Sequence, residues 1–258
     1  MAERLAAGLW ITGFTLLSFF VFPGYTWVQQ DTQLYVPMLE HIWDGSTLAK
    51  DLVATRPHLS YTLYDEITIA LRWVTRTSFE AVLVAQQLLF RALEIPGVYL
   101  LVSAFPLSRR AALLVAGVFA LGAIIAGPGV LTIEYEPVPR GFAIGLILFA
   151  VGLAARGRML ASALAASAAF LYHPPTVYSF WLVFVAVALW RREWHALGVL
   201  GCAVGVLLVA ATLQVDVSEK QVFWARIDAP WEALQRMRAG YNWVSTWRVA
   251  LYWQYAIL

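Results

Sequence analysis

The strongest constraint on this chain is the recurrence of apolar segments near bilayer length. They run from about Leu5 to Trp27 and then near 79 to 105, 111 to 128, 141 to 155, 159 to 173, 176 to 190 and 196 to 214. Crossing about 30 Å of hydrocarbon at about 1.5 Å per residue takes about 20 helical residues, and these segments hold about 15 to 25 each. A composition with 61% hydrophobic and only 13% charged residues suits a lipid solvent better than water. The expected fold is all-α, a polytopic transmembrane bundle of about seven to eight spans forming one domain over residues 1–258. The first segment exceeds a signal-peptide core and lacks a small-x-small cleavage site before Gln29-Gln30-Asp31, so it reads as a retained span. The eighth begins near Val244 and reaches Leu258 after only about 15 residues, so the chain is expected to be incomplete at its C-terminus.

Short turns set the orientation, because Lys and Arg resist translocation while Asp and Glu weigh little. Ser108-Arg109-Arg110, Arg156-Gly157-Arg158 and Arg191-Arg192 fall at alternate connections, after the second, fourth and sixth segments. All three are cytoplasmic together only if the N-terminus, which carries Arg4, is cytoplasmic too. The other face then receives the loop 26–78, the Glu134 to Arg140 turn, the His173-Pro174-Pro175 turn and the segment 215–243, where most of the acidic residues fall. The chain is expected to be a multi-pass protein of a bacterial inner membrane, its long first loop periplasmic.

Within that loop Leu34, Met38, Leu39 and Ile42 recur at helical spacing, a Gly-Ser break follows, and a second helical stretch runs from about Leu59 to Val74. The pattern predicts two amphipathic helices lying at the interface. Asp31 follows the first span directly, where a carboxylate acting as a base meets a lipid-linked substrate; the competing role is capping of the next helix through the amides of Gln33 and Leu34. Asp51 and Arg56 stand out among the remaining loop charges, since a carboxylate and a guanidinium together handle a proton and a phosphate.

Glu136-Pro137-Val138-Pro139-Arg140-Gly141 places Arg140 immediately before a span, suited either to a phosphate or to anchoring the helix at the headgroups. His173, before two prolines, is a second candidate for phosphate contact, or a helix cap. Arg91 and Glu94 lie inside the second segment on one helical face, where a lining role in a wet cavity competes with mutual pairing. The Trp and Tyr residues at segment ends read as interfacial anchors.

Other classes fall away. A formal net charge of +2 with no basic run gives no nucleic-acid surface, and the lone Cys202, expected to be a small buried residue, excludes an internal disulfide and any multi-cysteine metal site. There is no Walker loop, dinucleotide fingerprint, HExxH or Gly-x-Ser-x-Gly, so no directly bound nucleotide cofactor is expected.

The layout resembles the GT-C superfamily of membrane glycosyltransferases: a cytoplasmic N-terminus, one span, and a long external loop with two juxtamembrane helices and an acidic residue just after the span. Asp31 occupies that position, and Glu136 to Gly141 and Tyr172-His173-Pro174-Pro175 are similar to stretches in bacterial members. The chain departs from the best-known branches in having a single Asp31 rather than an adjacent Asp-Glu pair, and in lacking a Trp-Trp-Asp signature. The resemblance implies a cell-envelope enzyme moving a sugar from a polyprenyl-phosphate donor to a glycan, lipid or protein acceptor. It makes Asp31 the base, with Asp51 as a second carboxylate. It also leaves room for a divalent cation, though no residue is assigned to one. From their chemistry rather than the resemblance, Arg140, with Arg56 or His173, is expected to stabilise the departing phosphate. A transporter or channel, with Arg91 and Glu94 lining the path, and a non-catalytic membrane subunit are the alternatives.

Overall fold

The computed structural model describes residues 2–55, 62–125, 130–213 and 227–257. Among them it is helical throughout, apart from one pair of two-residue strands. The order is α1 (Ala2–Phe20), α2 (Thr32–Trp43), α3 (Tyr64–Thr75), α4 (Phe79–Val102), α5 (Arg109–Phe119), β1 (Ile124–Ile125), β2 (Val130–Leu131), α6 (Pro139–Ala155), α7 (Met159–Tyr172), α8 (Pro174–Arg191), α9 (Trp194–Leu213), α10 (Ala229–Arg238) and α11 (Val249–Ile257).

By length and composition α4 and α9 are able to cross a membrane, while Leu5–Phe20 of α1, α6 and α7 are shorter apolar helices. The helices thus account for two of the seven to eight expected spans. The third segment shows why continuous hydrophobicity overstates helix length. Helix α5 has only 11 residues, about 16 Å of rise against about 30 Å of hydrocarbon. Gly122 then turns the chain at φ +73°, and β1 pairs antiparallel with β2, Ile124 opposite Leu131. β-branched residues there favour the extended ladder over a further helical turn. The first segment likewise leaves the helix at Phe20 and turns through Gly24 at φ +83° rather than continuing to Trp27.

Helices α4 and α6 form the most extensive packing in the molecule. They run parallel, with Gly145 beside Phe90 and Gly152 beside Gly97 further along both. A methyl group at Gly97 would sit 2.5 Å from the Leu148 carbonyl oxygen, and one at Gly145 would sit 2.7 Å from that of Phe90. Small residues let the two backbones touch, so the pair is held by close van der Waals contact along its length. Helix α7 joins α6 through the Ser162 hydroxyl, which donates to the Ala150 carbonyl at 2.7 Å.

The two ends of the bundle differ chemically. At one end Arg109 meets Glu3 at 3.3 Å, Arg156 donates to the Ser103 carbonyl at 3.0 Å, and Arg191 shares a groove with Leu101 and Ala155. At the other, the first loop docks: the Leu63 amide donates to the Leu171 carbonyl at 2.7 Å, the Thr62 hydroxyl to that of Tyr172 at 2.7 Å, and the Tyr64 hydroxyl to that of Pro137 at 2.8 Å. Met38, Leu39, Tyr64, Phe79, Leu83, Phe90, Phe142 and Tyr172 form one buried cluster under these contacts. The two loop helices therefore exist and rest on α4, α6 and α7. Cys202, expected to be buried, is exposed on α9, whose buried stripe is Ala196, Leu200, Ala203 and Leu207.

Candidate functional site

The segment from Glu134 to Arg140 is the hub of the docked end. Val138 is extended and Pro139 opens α6, so the stretch before the helix presents both backbone and side chains to several helices at once. The Tyr135 carbonyl accepts from the Thr26 amide at 2.9 Å, and its hydroxyl accepts from Gln30 at 3.2 Å. The Glu134 carbonyl accepts from Gln87 at 3.2 Å and from Arg91 at 2.7 Å, both on α4.

At the centre Arg140 is clamped between two carboxylates. Its Nε donates to Glu134 Oε2 at 2.8 Å, and its terminal nitrogen lies 2.7 Å from Asp31 Oδ2. The Asp31 and Arg140 side chains keep 38% and 40% of their surface exposed, so this pair faces outward while Glu134 is buried beneath it. Asp31 stands at the N-cap of α2, yet its side chain caps nothing. That work is done by others: the Thr32 hydroxyl exchanges bonds with Gln29, and the Thr32 amide donates to Glu136 Oε2 at 3.3 Å. The Asp31 carboxylate is thereby left to Arg140 and to whatever approaches from outside.

Glu136 is only 1% exposed, and its Oε1 has no partner among the described residues. Burial raises its pKa, the Thr32 amide opposes that rise, and the charges of Glu134 and Asp31 reinforce it. Tyr35, one turn along α2, is held protonated above its ordinary range first by burial and then by Asp31. His173 sits where α7 ends and α8 begins; its Nδ1 pairs with the Thr176 hydroxyl at 2.6 Å. Burial, and after it the Arg140 charge, lowers its pKa to about 4, so at neutral pH the ring is uncharged. It offers a phosphate a hydrogen bond but no positive charge.

Asp31, Arg140 and the His173 turn thus gather at one end of the bundle. Asp51 plays another part: its Oδ1 accepts from the amides of Val53 and Ala54 at 2.8 and 2.9 Å, closing its own exposed turn. Arg56 lies outside the described residues. Arg91 and Glu94 are buried, and Arg91 forms no ion pair with a carboxylate among the described residues. Its guanidinium donates to the carbonyls of Ser18, Gly24 and Glu134 at 2.7, 2.8 and 2.7 Å, tying the end of α1 to α4 and to the hub. Glu134, Glu136 and Tyr35 are the residues that sequence reasoning passed over. Two glutamates flanking a tyrosine before a Pro-x-Pro-Arg were the available signal.

Among the described residues no three His, Cys, Asp or Glu side chains are arranged to hold a metal ion. The carboxylates of Asp31 and Glu134 are turned onto Arg140 instead. Compared with protein-family models, curated proteins and solved structures, the chain matches none.

Proposed function

We propose that this chain is a multi-pass membrane glycosyltransferase of GT-C type, using a polyprenyl-phosphate sugar donor at the end of the bundle that carries Asp31. The observation that carries the reading is the outward-facing Asp31–Arg140 pair, whose carboxylate is released from helix capping. Membrane embedding is supported by the exposed apolar surface of α8 and α9, including Leu182, Val183, Leu208, Val209 and Leu213, which water would solvate poorly. The gathering of arginine turns at the opposite end supports a cytoplasmic N-terminus.

In this mechanism the donor phosphate takes the place of Asp31 on Arg140, while Glu134 keeps the guanidinium oriented through Nε. Asp31, released, accepts the proton of the acceptor hydroxyl. The acceptor oxygen bonds to the anomeric carbon, the carbon–phosphate-oxygen bond breaks, and the negative charge that appears on the lipid phosphate is met by Arg140. No step passes through a metal ion. The transport reading is less favoured, because the Arg91 guanidinium donates to three backbone carbonyls.

The test is transfer of labelled sugar from a polyprenyl-phosphate donor by membranes containing the protein. Asp31→Asn is expected to lower turnover by at least about a hundredfold, the usual scale of general-base catalysis, with expression and membrane insertion unchanged. Wild-type turnover in that variant removes Asp31 from the mechanism, and absence of any transfer by the wild type favours the non-catalytic subunit.

A further inference from the structure

Away from the Arg140 hub, the C-terminal ends of α2 and α3 and the turn after α3 form an open groove of about 630 Å³ lined by Trp43, Arg72, Trp73, Val74, Arg76 and Thr77. Arg72 is fixed within it. Its guanidinium lies over the Trp43 ring at 4.8 Å and the Phe79 ring at 4.1 Å, and one terminal nitrogen donates to Glu40 at 2.9 Å. With rings against the guanidinium and one N–H engaged, its other N–H edges have no partner among the described residues. Glu40 balances its charge, so the net positive charge of the groove comes from Arg76, which is exposed and has no carboxylate partner among the described residues. Trp73 and Val74, 71% and 69% exposed, form an apolar edge directly beside that charge.

We propose that this groove seats the phosphate of an anionic membrane phospholipid, its acyl chains lying against Trp73 and Val74. The reading rests on the membrane placement proposed above. Charge complementarity selects the headgroup, since the groove carries one uncompensated guanidinium and a second with open N–H edges, the planar fork that matches a phosphate. The apolar edge selects a lipid over a free ion: an indole and an isopropyl group standing in water are satisfied at the boundary between headgroups and acyl chains. Helix α3 ends here with Arg76 in the left-handed region at φ +55°, which closes the helix beside the exposed pair.

Native mass spectrometry of the purified full chain in detergent, offered phosphatidylglycerol or phosphatidylcholine, tests it. The wild type is expected to retain phosphatidylglycerol in preference. Arg76→Gln should weaken that retention about fivefold, the scale of one cation near an anionic lipid surface, and Trp73→Ala should weaken retention of both lipids. Both positions are exposed, so circular dichroism should show an unchanged fold. Equal retention by Arg76→Gln and wild type overturns the seat, as does displacement of the lipid by an equal concentration of inorganic phosphate. Release of the chain from membranes by alkaline carbonate would instead overturn the membrane placement itself, which separates the two failures.

Discussion

The carboxylate of Asp31 is available because three neighbours have relieved it of local duty: Thr32 and Gln29 close the turn, and Glu136 reaches across from the hub to the first amide of α2. His173 shows the same economy of charge at the adjoining turn. Its folded pKa of about 4 lies below the ordinary value of 6.5, so the neutral ring belongs to the folded state. The stability this contributes is complete above about pH 6.5 and is lost as pH falls toward 4, in total about 3 kcal/mol. Thermal unfolding in detergent between pH 7 and pH 4 is expected to show that loss in the wild type and a shallower one in His173→Gln; parallel curves would mean that His173 is not buried as a neutral group. Of the site, Asp31, Arg140 and His173 were legible as isolated side chains of apt chemistry on one predicted face. The partners that define their roles were not. That Asp31 shares Arg140 depends on a contact between α6 and the start of the first loop, more than 100 residues apart, and neither periodicity nor charge pattern encodes such a pairing.

At the level of elements, α4 and α6 are joined backbone to backbone, and glycine alone permits it at Gly97, Gly145 and Gly152. Gly97→Ala is expected to push the helices apart and destabilise the bundle by about 1–3 kcal/mol, the usual cost of overpacking. Gly205→Ala on α9 has open space around it and should be neutral or stabilising by up to about 1 kcal/mol. Unfolding midpoints of the two variants in one detergent check this, and equal midpoints would reject the close contact. Helix α4 and the two loop helices could be read from the sequence because α4 is one long apolar run and the apolar residues of the loop helices recur at helical spacing. The end of α5 could not, because 111–128 is apolar whether it forms helix or strand, and hydropathy does not tell these apart. Only Gly122, at positive φ before two isoleucines, marked where the helix stops.

For the molecule as a whole, the question is whether the chemical difference between its two ends is a difference between two sides of a membrane. Arg109, Arg156 and Arg191 lie at the end where α1 begins, while Asp31, the hub and the His173 turn lie where α1 stops. If α1, α4 and α6 to α9 cross the bilayer, with the short α5 and the chain after it completing one more crossing between α4 and α6, the arginine end is retained in the cytoplasm and the site end is exported. Cysteine labelling decides between this and any arrangement that leaves both ends in one compartment. Because Cys202 is exposed, the background must carry Cys202→Ser. Lys50→Cys, in the exposed turn after α2, and Leu107→Cys, exposed beside the first arginine turn, leave every arginine in place. A membrane-impermeant maleimide applied to intact cells is expected to modify Lys50→Cys and spare Leu107→Cys, and inverted vesicles should reverse the pattern. Labelling of both from one side would refute the spanning arrangement. A reversed pattern would keep the spans but move Asp31 and Arg140 to the cytoplasmic face, where the arginine bias says they should not be.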